Sequence, residues 1–171
     1  MSKTVVVAVV LGVLLVSAGA SFAQMYGGYG ATGEQTKPYL RGKVGWFQPN
    51  ESDLDGDVAF GVDYVMPQQM AFVTIDRVHA DDTFVDSTTW SLLVGMYRPL
   101  ESGRQSFYYG AAIGVAREEV ETPFGDADES RFAWEIGGGM LISQKGFAEL
   151  KYRDAGSDGN RGLILYLGIG F

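Results

Sequence analysis

The chain has no cysteine, which removes disulfide bonds and a lipidated cysteine anchor from any account of it. Cations are scarce: 13 lysines and arginines face 21 aspartates and glutamates, a formal charge of −8. A balance of that sign does not attract a polyphosphate backbone, so nucleic acid is not among the expected partners. Past residue 23 no apolar run approaches the roughly 20 residues that a bilayer-spanning helix needs. What the chain holds in quantity is glycine, 24 residues, and aromatics, with 10 Phe, 9 Tyr and 3 Trp. That combination suits tightly turned β-structure with a lipid-facing surface.

The N-terminus reads as a secretory signal over residues 1–23. Lys3 supplies the positive charge, Val5 to Val16 the apolar run, and Ser21-Phe22-Ala23 a small-x-small cleavage site. Residues 24–38 form a glycine-rich lead-in without periodicity. Gly28, Gly30 and Gly33 spell a dinucleotide-binding fingerprint, but that motif needs a strand before it and a helix after it, and here a signal peptide precedes it. No cofactor is expected.

Residues 39–171 divide into eight segments of period two, the alternation of a strand with two different environments. They run near Tyr39–Gln48, Val58–Met66, Met70–Val78, Thr88–Arg98, Phe107–Arg117, Arg131–Ile142, Gly146–Arg153 and Leu163–Phe171. In the fourth, Trp90, Leu92, Val94 and Met96 oppose Ser91, Leu93, Gly95 and Tyr97. In the seventh, Ala148, Leu150 and Tyr152 oppose Glu149, Lys151 and Arg153. The third segment does not reveal which face is which. The last places Leu163, Leu165, Leu167, Ile169 and Phe171 on one apolar face.

A membrane chain without spanning helices has one solution, a closed barrel, because lipid cannot satisfy an open sheet edge. The connections alternate accordingly. Met66–Gln69, Arg98–Gln105 and Ser143–Gly146 are short, whereas Pro49–Gly56, Arg77–Asp86, Arg117–Ser130 and Asp154–Asn160 are mostly longer and acidic. Short turns belong in the periplasm and long loops outside. The expected fold is all-β: an eight-stranded antiparallel up-and-down transmembrane barrel with acidic extracellular loops and both termini periplasmic. Outward Trp46, Phe60, Trp90, Phe132, Trp134 and Tyr152 predict one aromatic belt, and Tyr64, Phe107, Tyr109 and Phe171 a second. A soluble ligand-binding barrel would instead be polar outside and apolar within.

The segments Tyr39-Leu-Arg-Gly-Lys-Val-Gly-Trp-Phe-Gln-Pro49, Tyr108-Tyr-Gly-Ala-Ala-Ile-Gly-Val115 and Glu149-Leu-Lys-Tyr-Arg153, with the terminal Phe171, resemble the small outer-membrane β-barrel family, the group of the OmpA membrane domain and OmpX. The resemblance covers residues 39–171. It implies a Gram-negative outer-membrane location and a monomer in contact with outer-membrane lipid and lipopolysaccharide. It further implies that Leu165, Leu167, Ile169 and Phe171 form the signal read by the barrel-assembly machinery, after delivery by periplasmic chaperones. It says little about activity.

Arg41, Lys43, Asp63, Glu135, Glu149, Lys151 and Arg153 fall on inferred inward positions. An eight-stranded barrel is just wide enough for side chains to fill, and charges packed there must pair. A network that plugs the lumen is the plain expectation. A gate whose pairs rearrange around a narrow ion or small-solute path is the second, helped if the interior glycines Gly45, Gly61, Gly95, Gly110, Gly114, Gly137 and Gly139 leave room for water. The acidic loops could hold divalent cations, but Asp53-Leu-Asp55-Gly56-Asp57 departs from the EF-hand pattern in its early glycine, and Tyr64 stands at the bidentate position. No metal site is assigned. His79, the only histidine, lies near Asp81 and Asp82 without a His-x-Ser run, so lipid A-modifying catalysis is a distant third reading and no catalytic residue is assigned. The expected role is non-enzymatic: structural, or surface contact in adhesion and envelope integrity.

Overall fold

The computed structural model describes residues 37–50, 55–82, 85–100, 107–143 and 145–171. The signal segment and nearly all of the lead-in lie outside them. Eight strands follow one another: β1 Tyr39–Pro49, β2 Asp55–Met66, β3 Ala71–Asp82, β4 Val85–Leu100, β5 Phe107–Thr122, β6 Gly125–Leu141, β7 Gly146–Asp154 and β8 Arg161–Gly170. Each pairs antiparallel with its sequence neighbour, and β8 returns to β1 to close the barrel. That seam runs from Arg41↔Gly170 to Pro49↔Gly162. Beyond the last pair, the Phe171 N–H donates to the Leu40 carbonyl at 2.9 Å. The last strand therefore seals against the first, and the start of β1 and the end of β8 lie at one end of the barrel, called the base here.

Alternation sorts the side chains. Leu40, Val44, Val62, Ile75, Leu92, Ile136, Leu150, Leu165 and Leu167 all stand exposed on the outside, while Arg41, Asp63, Glu135 and Arg153 are buried within. An exterior this apolar, over a polar interior, is the polarity of a barrel in lipid. Trp46, Phe60, Trp90, Phe132 and Trp134 are exposed toward the distal end, and Tyr64, Tyr109 and Phe171 toward the base. The two belts expected from the sequence are present, with Tyr152 and Phe107 only half-buried.

Two base turns are tight. Pro67–Gln69 form a single 3-10 turn closed by Met70 in the left-handed region, φ 50°. Ile142 and Ser143 both donate backbone N–H groups to the Gly146 carbonyl.

Two of the four expected distal loops, Arg77–Asp86 and Arg117–Ser130, are instead largely strand. β4 and β5 have 16 residues each and β6 has 17, well past the 9 to 11 that a bilayer requires. β5 and β6 stay in register up to Thr122↔Gly125, so the segment expected as a loop over Arg117–Ser130 is a protruding hairpin with a two-residue turn. Likewise β3 continues to Asp82 and β4 resumes at Val85. Most of the expected loop acids in these segments sit on strands that continue beyond the apolar band.

β3 also settles the face that its sequence leaves open. Phe72, Thr74, Asp76, Val78 and Ala80 are buried inside, and Val73, Ile75, Arg77 and His79 point out.

Candidate functional site: a charge ring across the lumen

Strand geometry puts residues two apart on one face, which delivers Arg41 and Lys43 from β1 and Glu149, Lys151 and Arg153 from β7 into the same interior. Register supplies partners. Arg41 stands directly opposite Asp63 on β2, and Arg153 opposite Glu135 on β6. All seven inward charges expected from the sequence are buried and share one network. An eighth, Asp76, joins them from β3.

With Asp76 the charges balance, four cations (Arg41, Lys43, Lys151, Arg153) against four anions (Asp63, Asp76, Glu135, Glu149). Their contacts close on themselves. Arg153 pairs with Asp76 through both terminal guanidinium nitrogens, and Asp76 lies 3.9 Å from Lys43. Lys43 meets Asp63 at 2.7 Å, and Asp63 meets Arg41 at 2.7 Å. Arg41 reaches Glu149 at 2.9 Å, Glu149 lies 3.3 Å from Lys151, and Lys151 meets Glu135 at 2.9 Å. Glu135 returns to Arg153 at 2.8 Å. Signs alternate at every step, so each ion has two opposite neighbours. β3 and β7 are four strands apart in an eight-strand circle, so the Arg153–Asp76 pair crosses the full width of the lumen.

Neutral groups fill the gaps. Lys43 Nζ donates to Thr74 Oγ1 at 2.9 Å, and Arg153 donates to Ser91 Oγ at 3.2 Å. Tyr108 donates its hydroxyl to Glu149 at 2.7 Å while accepting from Arg41 at 3.1 Å. The Arg41 guanidinium carbon lies 4.4 Å from the Phe147 ring centroid, and Lys43 Nζ 4.7 Å from that of Tyr166, both within cation–π range. Toward the base, Val65 and Phe72 pack with Tyr39 and Tyr97. Toward the distal end, Phe47, Ala59, Val78, Ala80, Ile164 and Tyr166 form a second apolar cluster.

Four of the interior glycines, Gly61, Gly95, Gly137 and Gly139, are crossing points filled by side chains of neighbouring strands rather than by water-sized space; at Gly110 and Gly114 backbone atoms of β4 lie nearest. Gly61 lies between Lys43 and Asp76 in register; a methyl there would come within 2.5 Å of Asp76 Cβ and 2.9 Å of Lys43 Cε. Gly139 lies between Tyr108 and Glu149, and a methyl would meet Tyr108 Cζ at 2.6 Å. At Gly95 and Gly137 the occupants are Phe72 Cζ and Lys151 Cγ. Glycine is thus what lets the ring's links pass over an intervening strand.

His79 faces outward. Its Nδ1 lies 3.1 Å from Thr88 Oγ1 and 3.3 Å from Asp86 Oδ1, and its Nε2 lies 3.6 Å from Asp57 Oδ2. Arg77 also donates to the Thr88 hydroxyl. Among the described residues no three His, Asp or Glu side chains are grouped to hold a metal ion; Asp53 of the acidic run lies outside them.

No protein-family profile matches the chain, and no curated protein matches it in sequence. Solved structures do. A de novo designed transmembrane β-barrel aligns with TM-score 0.55 at 13% identity, over 81% of this chain and 99% of its own. The N-terminal β-barrel domain of Pseudomonas aeruginosa OprF aligns with TM-score 0.54 at 13% identity, over 79% of this chain and all of its own. Neisserial surface protein A gives 0.48 at 11% identity, over 78% and 92%. In fold, this chain is a closed eight-stranded transmembrane β-barrel.

Proposed function

We propose that this protein is a closed barrel of the Gram-negative outer membrane that works at its outer surface, in adhesion or envelope integrity, and does not pass solutes or catalyse a reaction. In this reading both termini are periplasmic, the distal strands reach outside, and lipid and lipopolysaccharide surround a monomer. The barrel-assembly machinery inserts it by its terminal strand, Leu165 to Phe171, after periplasmic chaperones deliver it.

The observation that carries the reading is the closed charge ring. It joins opposite walls, its ions are each no more than 8% exposed, and the crossing glycines have neighbouring side chains against them. At an effective dielectric near 20, an opposite charge about 3 Å away is worth roughly 5 kcal/mol, so each ion is held from two sides. A solute path would have to break several such contacts together. The chain's long, polar, exposed features are instead the distal extensions of β4 to β6.

The test is a strain lacking the gene, complemented with the full chain or with a version in which residues 119–128 are replaced by a two-residue turn. The full chain should restore both detergent resistance and surface adhesion, and the shortened one should lose adhesion. Unchanged adhesion and detergent resistance in the deletion strain, with slowed uptake of small solutes, would replace this reading with the pore.

A further inference from the structure

We infer that three methionines at the base, Met66, Met70 and Met96, form a thioether site for a soft monovalent metal ion, copper(I), on the outer wall of the barrel. The site lies at the opposite end from the distal extensions and does not depend on the surface-contact reading.

Topology gathers the three from separate parts of the chain. Met66 ends β2, Met70 closes the Pro67–Gln69 turn, and Met96 lies on β4. Ala71 of β3 stands between Met66 on one side and Met96 on the other, in a single register row. Two strand spacings of about 4.8 Å separate the backbones of Met66 and Met96. Met70 immediately precedes Ala71, and its carbonyl accepts from the Tyr97 N–H at 2.9 Å. The turn residue is thereby held against the stretch of β4 that carries Met96.

The burial of Ala71 shows that this spot on the wall is covered. Phe72 and Thr74 are buried inside the lumen, so alternation puts Ala71 on the outer wall. It belongs to neither interior apolar cluster, yet it is fully buried. Ala111, which occupies the same row between Met96 and Ile136, is exposed. The same small residue is therefore open beside one methionine and covered among three. Met66, Met70 and Met96 are themselves half-buried.

Met70 adds an independent sign. Among the described residues it is the one non-glycine position with positive φ, at 50°, while Gly125 and Gly156 hold the others. Glycine is the usual occupant of such a helix-ending position. A long thioether side chain kept where the backbone favours none points to a use for that side chain.

The donor set selects the ion. Thioether sulfur is neutral, soft and polarisable, and soft sulfur ligands favour copper(I). Zinc(II) takes thiolate, imidazole or carboxylate instead. The three rotatable bonds of each methionine let the sulfurs converge over the Ala71 methyl, and a larger residue at position 71 would occupy that space.

The probe is copper(I) itself, kept reduced with ascorbate under anaerobic conditions and titrated into the full protein in zwitterionic lipid nanodiscs against a chromophoric copper(I) chelator. One equivalent should be retained, with sulfur as the neighbour seen by X-ray absorption, and zinc(II) should not bind. Met66→Leu, Met70→Leu and Met96→Leu should each weaken retention at least about tenfold, and the triple variant should retain none. Leucine conserves volume and apolarity, and circular dichroism checks that each barrel remains folded. Ala71→Leu, which leaves every sulfur in place, should weaken retention as well. Met140→Leu, on β6 at the base but outside the group, should change nothing. Failure of the unmodified protein to hold copper(I), nitrogen or oxygen neighbours in place of sulfur, or a triple variant that holds the ion as well as its parent would each overturn the proposal.

Discussion

Asp76 shows at one residue how the interior holds together. It accepts from Arg153 on the opposite wall, lies 3.9 Å from Lys43, and receives the Tyr166 hydroxyl at 3.3 Å. Taking it away leaves four cations against three anions, with Arg153 buried and half-paired. Breaking a buried pair from one side costs about 3–5 kcal/mol, whereas replacing both partners by apolar groups is close to neutral. Asp76→Ala should therefore destabilise the barrel by about 3–5 kcal/mol, measured by urea unfolding in lipid vesicles. The double variant Asp76→Leu with Arg153→Met should recover most of that loss, since three cations then face three anions. If the double variant is as unstable as the two single losses added, the ring is not a coupled unit.

At the scale of strands, β1 and β7 are legible in the sequence because lipid and lumen impose opposite demands on alternate residues. Arg41 and Lys43, like Glu149, Lys151 and Arg153, cannot face hydrocarbon, so their direction follows from period two. β3 hides its direction because its inner face must feed both apolar clusters as well as the ring. Phe72 and Val78 point inward while Val73 and Ile75 point outward, and apolar residues on both faces erase the alternation. One clue was available: the seven inferred charges sum to +1, and a closed interior calls for one more carboxylate. The distal extensions escape for the opposite reason. Water lies on both faces there, so Glu118 and Glu119 can be adjacent and no period marks the strand. The crossing glycines belong to this scale too, since each acts through the strands on either side. Gly139→Ala forces Tyr108 off Glu149 and should cost about 1–3 kcal/mol, read in the same unfolding experiment. An unchanged midpoint would mean that Tyr108 reaches Glu149 by another path.

For the whole molecule, the ring and the two apolar clusters pack the described interior beneath a lipid-matched exterior, and the long distal strands carry acidic residues beyond the apolar band. Fold and membrane polarity follow from alternation alone. The protruding distal hairpin does not, because pairing register is a property of the assembled sheet. The central claim is that the lumen is closed. Single-channel recording of the purified, refolded protein in a planar lipid bilayer tests it most directly: a flat baseline under applied voltage is the predicted result, and reproducible conductance steps from the unmodified chain would contradict it.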